Sequence, residues 1–448
     1  MDKEFILKNA ELVKEEVLEA ERWLWRHPQT GYTEWQAHEY LLEKLKRLGY
    51  ETVEAGNIPG FYADIDTGLP GPAVCLIAEL DALDIAGHPE SVEGCAHCCG
   101  HNAQCAALLG MATLLKSPGA LSGLSGKIRL MFVPAEEMIQ LEFREKLRKE
   151  GTIHYFGGKL EFLYRGLFDG VDIAVMMHDR GDESCDYYCH GSHVGLISKM
   201  FTFTGKAAHA GGHPDAGINA QYAAALGLNA CNALRETFRE QDYIRFHPIL
   251  HGAQCAVNII PDRIECESYV RAGNVTAMLR ENSRLNRALA GAALSMGAGL
   301  TLHDRPGYMP ERDDRNLMRL AEECCRMFSP AERVRFEYNH VNTGSSDFGD
   351  ITCLMPGIQF YSTGSTGTQH GTDYRIENPE RLCLGAVKAE AAIVSELLKD
   401  GAEKAGKILA DFRPVFVSKE EYFEAVESVN RDIEAVTYTA EGAAVRWE

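Results

Sequence analysis

Three stretches of this chain are almost continuously apolar, and each stops at a polar cluster: Ala73-Val-Cys-Leu-Ile-Ala78, Lys127-Ile-Arg-Leu-Met-Phe-Val133 and Val171-Asp-Ile-Ala-Val-Met-Met177. A strand with one wet face alternates, whereas a strand apolar throughout must be covered on both faces, as in a sheet held between helices. The clusters that end them are Glu79-Leu-Asp-Ala-Leu83, Pro134-Ala-Glu-Glu137 and His178-Asp179. Carboxylates and imidazole at the C-terminal ends of buried strands sit where open α/β sheets place their ligands. Between the first two lies Cys95-Ala-His-Cys-Cys-Gly-His-Asn102. Cys99 and His101 can turn toward one ion because Gly100 accepts backbone angles that other residues resist. A thiolate with an imidazole suits zinc and its borderline neighbours. Taken singly, a buried cysteine is as readily a small hydrophobe, and a Glu-Glu pair as readily a solvated turn. Acid, acid and imidazole at successive strand ends make a site of them.

The rest of the chain supplies the layers. Ile6, Leu7, Leu12, Val13, Val17, Leu18 and Leu24 recur at helical spacing. A second helix spans 34–48, closed by Gly49, and a small-residue helix spans 103–115. From about Gly191 the pattern changes. An alternating strand at 194–204, a helix at 218–234, strands at 256–261 and 264–271, a helix at 276–296 and a strand at 299–303 read as an inserted α+β sandwich. The first domain resumes with a helix at 314–328, a strand at 358–361, a loop that delivers His370 and a helix at 382–398. The expected organisation is α/β: a catalytic domain of residues 1–193 plus 306–448, with a mixed, mostly parallel central sheet between helices, interrupted by an α+β ferredoxin-like domain at 194–305. Residues 399–448 read as an appended helical tail of the first domain.

Composition removes some function classes. Asp and Glu number 65 against 45 Lys and Arg, for a net charge of −20, which argues against nucleic acid or an anionic membrane surface as partner. No run approaches the ~18 apolar residues of a spanning helix. Met1-Asp-Lys-Glu leads into an amphipathic helix and not a signal core, so the 14 cysteines read as reduced thiols of a cytoplasmic protein.

The ordered landmarks Arg26-His-Pro, Glu79-Leu-Asp-Ala-Leu, Cys99-Gly-His-Asn, Pro134-Ala-Glu-Glu, His178, Gly205-Lys-Ala-Ala-His-Ala, Asn258-Ile-Ile-Pro, Ser346-Asp-Phe and His370 resemble the zinc-dependent amidohydrolase and exopeptidase family. That family includes aminoacylases, hippurate hydrolases, indoleacetyl-amino-acid hydrolases and carboxypeptidase G. The resemblance implies a zinc-exopeptidase type fold whose inserted domain serves as lid and dimerisation unit. Matched residue by residue, it implies two divalent ions per chain, zinc or manganese first and cobalt or nickel after them. The implied ligands are Cys99, His101, Glu137, His178 and His370, with Glu136 as general base and Asp81 orienting a ligand from behind. It also implies that His209 donates to the oxyanion in the partner's site of a homodimer, and that Asn258 and Arg271 hold the substrate, Arg271 through a carboxylate.

Three positions depart from the commonest pattern. Asn102 stands where many members carry Asp, Gln104 where many carry His, and Glu79 where the peptidase branch has a His ligand. The Asn form is similar to the branch containing p-aminobenzoyl-glutamate hydrolase and the β-alanyl-dipeptide hydrolases. The reading is therefore hydrolysis of an N-acyl or aryl-acyl amino acid with a free carboxylate, by water activated at the metal and by Glu136. The alternatives are a metallodipeptidase acting on, for example, a β-alanyl dipeptide, a non-catalytic binding descendant, and a structural zinc module on Cys95, Cys98, Cys99 and His101.

Overall fold

The computed structural model describes residues 1–252 and 255–448. The chain divides into two compact units. One comprises Met1–Ser192, Glu311–Asn342 and Asp347–Val415; the other comprises His193–Pro310, Thr343–Ser346 and Phe416–Glu448.

The first unit is built on an 8-stranded sheet. Its central strands, Lys127–Val133, Ala73–Glu79, Ile173–Arg180 and Gly357–Thr363, lie side by side in that order and are mutually parallel. The outer pairings mix directions, Phe61–Asp66 running antiparallel to Lys127–Val133 and Tyr187–Cys189 antiparallel to Gly357–Thr363. The charge inside the second apolar run is accommodated: Arg129 pairs through Nε and Nη2 with Asp64 at 2.7 Å. From Ala73–Glu79 the chain crosses first to one neighbour and then to the other. The C-terminal end of that strand is thus a topological switch point, where such sheets open a crevice.

Helix His101–Leu115 covers the sheet, and nearly all of its residues are buried. Its small residues let two other helices approach closely. A Cβ on Gly110 would lie 2.5 Å from Val17 Cγ2 on Lys3–Trp25 and 2.9 Å from Val387 Cγ2 on Gly385–Leu398. Wide apolar burial of this kind contributes about 25 cal/mol per Å² and anchors the loop that leads into the helix.

The second unit is a 7-stranded sheet, antiparallel in every pairing. Gly195–Thr204 lies between Arg263–Ala272 and Gly299–Tyr308, and helices Ala220–Ala233 and Val275–Ser295 complete the α+β pattern. Two expectations are corrected here. Residues 256–261 form no strand; the short strands Arg245–Phe246 and Ile249–His251 pair with Arg263–Ala272 instead. An Asn-Ile-Ile run is apolar enough for a strand but turns before Pro261, and its flanking Val257 and its Ile259 are exposed. The tail is not a helical appendage of the first unit. Through Val415 it belongs there, but Phe416–Glu448 joins the second unit, where Arg431–Thr439 pairs antiparallel with Gly299–Tyr308 and Gly442–Val445 adds a further strand. The cause is a short alternation: Ile433, Ala435 and Val436 are buried, and Asp432 accepts from Arg305 at 2.6 Å. The tail covers a sheet edge that would otherwise be open.

Candidate metal centre

The strand ends converge as their polar termini require. Cys99 Sγ lies 3.5 Å from His178 Nε2 and 3.4 Å from His370 Nε2. Glu137 Oε1 lies 3.1 Å from His370 Nε2. Among the described residues, four sets of ligand-type atoms lie within 4.8 Å of one another: Cys99, His101 and His178; Cys99, Glu137 and His370; His101, Glu136 and Glu137; and Glu79, Glu136 and Asp347. The first two sets share Cys99 and together take in all five residues that the resemblance implies as ligands.

Each side chain reaches its place for a local reason. Gly100 has φ +85°, and a Cβ there would lie 2.5 Å from Asp179 Cβ, so only glycine lets Cys99 and the helix start at His101 turn together. His101 Nδ1 contacts the Asp81 carbonyl at 2.9 Å, which leaves Nε2 turned toward the cluster. The Asp81 carboxylate accepts from the Glu137 backbone N–H at 2.8 Å and lies 3.2 Å from His101 Nδ1. One buried aspartate thus orients two of the candidate ligands, the role such outer groups play in metal sites. His178 Nδ1 contacts the carbonyl of Asp179 at 3.0 Å, and burial pulls its pKa down to about 4, so it is a neutral imidazole, the ligating form. Burial, and after it the charges of Glu79, Glu137 and Asp347, raises the proton affinity of Glu136.

A brace that sequence reasoning missed lies behind these groups. Lys159 is fully buried and its ammonium contacts both Glu79 and Asp347, while its backbone N–H donates to Asp347 Oδ2 at 2.9 Å. Glu79 is engaged from two sides: one of its oxygens is held by this lysine, and the other faces His101 Nε2 at 3.2 Å. Arg144, 1% exposed, donates to the Phe156 carbonyl at 2.6 Å and also to that of Glu137. Glu34 Oε1 accepts from the Ala135 N–H at 2.8 Å, holding a residue with φ +58°. No spacing signals Lys159, a lone cation in front of Leu160 and Phe162. The Ser-Asp-Phe landmark marks Asp347 but assigns it no role.

The departures at 102 and 104 are explained by their partners. Gln104 accepts from the Glu79 N–H at 2.8 Å and donates to the Met177 carbonyl at 2.6 Å, stitching two strand ends. Asn102 Nδ2 donates to Glu21 Oε1 at 2.9 Å; burial pushes the Glu21 carboxyl up to about 7, and an aspartate here would set two acids together.

His209, Asn258 and Arg271 lie in the second unit. His209 Nδ1 accepts from the Gly211 and Gly212 N–H groups at 3.2 and 2.9 Å. The Asn258 carbonyl accepts from the Ala210 N–H at 2.9 Å, and Arg271 donates to Ser345 Oγ at 2.8 Å.

The residues fit divalent cations. His101 Nε2 and Glu79 Oε2 face each other at 3.2 Å, and Glu137 Oε1 faces His370 Nε2 at 3.1 Å. The atoms of His101, Glu79 and Glu137 are buried and without hydrogen-bond geometry, so thiolate, imidazole and carboxylate donors converge with capacity left for a cation. Among the described residues neither Cys95 nor Cys98 enters a ligand-type set, so a structural zinc module on those thiols finds no support.

The match to known proteins agrees with this chemistry. The model of peptidase family M20/M25/M40 matches residues 75–399. The chain belongs to that family. It is a hydrolase acting on amide bonds, as its relatives are. It is 26% identical to the Xaa-Arg dipeptidase of Homo sapiens over 79% of this chain and 78% of that one. It is 28% identical to the N-acetyl-L-cysteine deacetylase of Bacillus subtilis over 66% of this chain and 70% of that one. A dinuclear metal-binding M20 peptidase from Bacillus subtilis shares the fold, with a TM-score of 0.64 at 21% identity, covering 89% of this chain and 99% of the other. No helix among the described residues is long and apolar enough to cross a membrane.

Proposed function

We propose that this family member hydrolyses the amide bond of an N-acyl or aryl-acyl amino acid, holding two divalent cations with Cys99, His101, Glu137, His178 and His370. The observation that carries the reading is the sharing of Cys99 between two ligand-type sets, with Glu136 in a third that adjoins both. When bound, the cations supply Lewis-acid polarisation of the amide carbonyl and a water acidic enough to react at neutral pH. The chain's own residues do the rest. Glu136 takes the proton of the attacking water and returns it to the leaving nitrogen. Asp81 keeps His101 and the Glu137 backbone in register, and Lys159 offsets the carboxylate charge of Glu79 and Asp347.

Arg271 receives the substrate carboxylate in its guanidinium fork, and Asn258 also holds the substrate. The proposal extends to a cytoplasmic homodimer in which each copy's His209 donates to the oxyanion in the other's site. Two features of the second unit support it. Tyr222 and Leu226 on Ala220–Ala233, and Ile249 and Leu250 on an outer strand, are exposed apolar residues of the kind proteins cover. The tail occupies the opposite edge of the sheet. Zinc and manganese suit the mixed thiolate, imidazole and carboxylate donors.

A second reading, a metallodipeptidase, is favoured by the Xaa-Arg dipeptidase relative, which spans 79% of the chain. The deciding experiment is a substrate panel of N-acetyl and N-aroyl amino acids, p-aminobenzoyl-glutamate, β-alanyl dipeptides and Xaa-Arg dipeptides. The proposal expects turnover of the acyl amino acids, abolished in Glu136→Gln. Turnover of free dipeptides alone would replace it with the second reading.

A further inference from the structure

His370 is the least supported of the five candidate ligands. It is carried by a hairpin whose two strands, Ser365–Thr366 and Arg375–Ile376, pair over only two residues each, and a ladder that short does not hold itself in water. Its side chain is half exposed, and its own backbone lies at φ +60°. In the connecting loop, 367–374, Tyr374 is the one fully buried residue.

The loop is tied to the strand end that carries His178. The Tyr374 hydroxyl donates to Asp179 Oδ2 at 2.6 Å, and Gln369 Nε2 donates to the Asp179 carbonyl at 3.1 Å. The His370 N–H donates to the Cys98 carbonyl at 2.9 Å. The ring of Tyr374 packs with Leu83, Ala96, Cys98 and Cys99, and its carbonyl accepts from His88 Nε2 at 2.8 Å. Glycine at position 100 leaves room for the hydroxyl, since a Cβ there would come within 3.0 Å of the Tyr374 oxygen.

The geometry points to the Tyr374–Asp179 hydrogen bond as the latch that seats the hairpin and presents His370 to the Cys99 and Glu137 side of the centre. This inference rests on the two-cation reading above. Tyr374 and Asp179 are positioning residues: neither belongs to a ligand-type set among the described residues, and each acts through His370. The other side of the centre, where Cys99 meets His101 and His178, is held by helix and strand and has no need of the hydroxyl. The latch thus makes the affinities of the two cations separable.

The test is Tyr374→Phe, which removes one oxygen and keeps the ring. Metal-free wild-type and variant proteins are titrated with zinc by calorimetry, and amide hydrogen exchange over 367–374 is followed in the metal-free state. The expected result is two ions in both proteins, with the second weakened about 10- to 100-fold in the variant, the range found when outer-sphere partners are removed, and the first unchanged. Exchange should accelerate in the loop and not in the central strands. Two ions bound with wild-type affinities in Tyr374→Phe would overturn the latch and leave the two-cation reading standing. A single ion in the wild type would overturn both. Equal weakening of both ions, or loop exchange at the wild-type rate, would also overturn the latch.

Discussion

The candidate ligands are held in opposite ways, and Glu137, although it meets His370, belongs with the braced ones. His101, Glu137 and His178 sit at the ends of a helix and two central strands, where Asp81, Lys159, Arg144 and Gln104 contact their backbone, rings or neighbours. His370 hangs on a two-residue ladder and is held by a few hydrogen bonds. Damage to the braced side should therefore appear as lost stability, and damage to the hairpin side as lost ligation in a folded protein. Buried charges that satisfy one another fail together when one is removed, whereas a half-exposed loop can reopen to water at little cost.

The largest expected effect is on rate, and it comes from the base Glu136, which is neither a candidate ligand nor a brace. Glu136→Gln should lower kcat about 100- to 10,000-fold, the span for loss of a general base, while cation content and melting temperature stay near wild type. Steady-state kinetics on the best acyl amino acid, read beside elemental analysis, checks both halves.

Next in size is Lys159→Met. It leaves Glu79 and Asp347 buried without their counter-charge, and breaking a buried pair costs about 3–5 kcal/mol. Urea denaturation should show this loss, and His370→Ala under the same conditions should change stability by less than about 0.5 kcal/mol. Equal losses in the two variants would erase the contrast between the two sides.

Asn102 and Glu21 sharpen the contrast through pH. Burial makes Glu21 ionise at about 7 in the folded protein, against 4.5 for an ordinary glutamate. The folded state therefore binds the proton more tightly. Its contribution is present in full below about pH 4.5 and is lost as pH rises toward 7, about 3 kcal/mol in all at 1.36 kcal/mol per pH unit. Glu21→Gln keeps the hydrogen-bonding shape and removes the titration. Against wild type it should gain stability as pH increases from 5 to 8. Denaturant midpoints at the two pH values measure the difference.

The smallest of the structural effects lies under the centre. Gly110→Ala gains up to about 1 kcal/mol in helix propensity but drives a methyl to 2.5 Å from Val17, an overlap worth about 1–3 kcal/mol. The balance is a net loss of about 1 kcal/mol, readable as a shift in the denaturation midpoint.

Much of the braced side is legible from residue order alone. Continuous apolarity in 73–78 and 127–133 requires a covered sheet, and the polar ends of three such strands have to meet at its C-terminal edge. Lys159, Arg144 and Glu34 are not legible in that way. Their roles come from contacts across the fold, such as Lys159 with Glu79 at a separation of 80 residues, and a single buried charge leaves no periodic trace. The hairpin is legible as a loop ending at His370, but its latch is not, because Tyr374 looks like any aromatic flanking a turn. The tail departs from expectation for a different reason. Residues 403–411 and 419–427 are helical as expected, while the strand after them is specified by the open edge of Gly299–Tyr308 and not by its own weak alternation.

The central claim is that Cys99, His101, Glu137, His178 and His370 would hold two cations, with His370 serving only one of them. Counting bound metal per chain by elemental analysis, after reconstitution of wild type and His370→Ala with zinc, tests it most directly. The account predicts two ions in the wild type and one in the variant, with both proteins folded. One ion in the wild type, or two in His370→Ala, would contradict it.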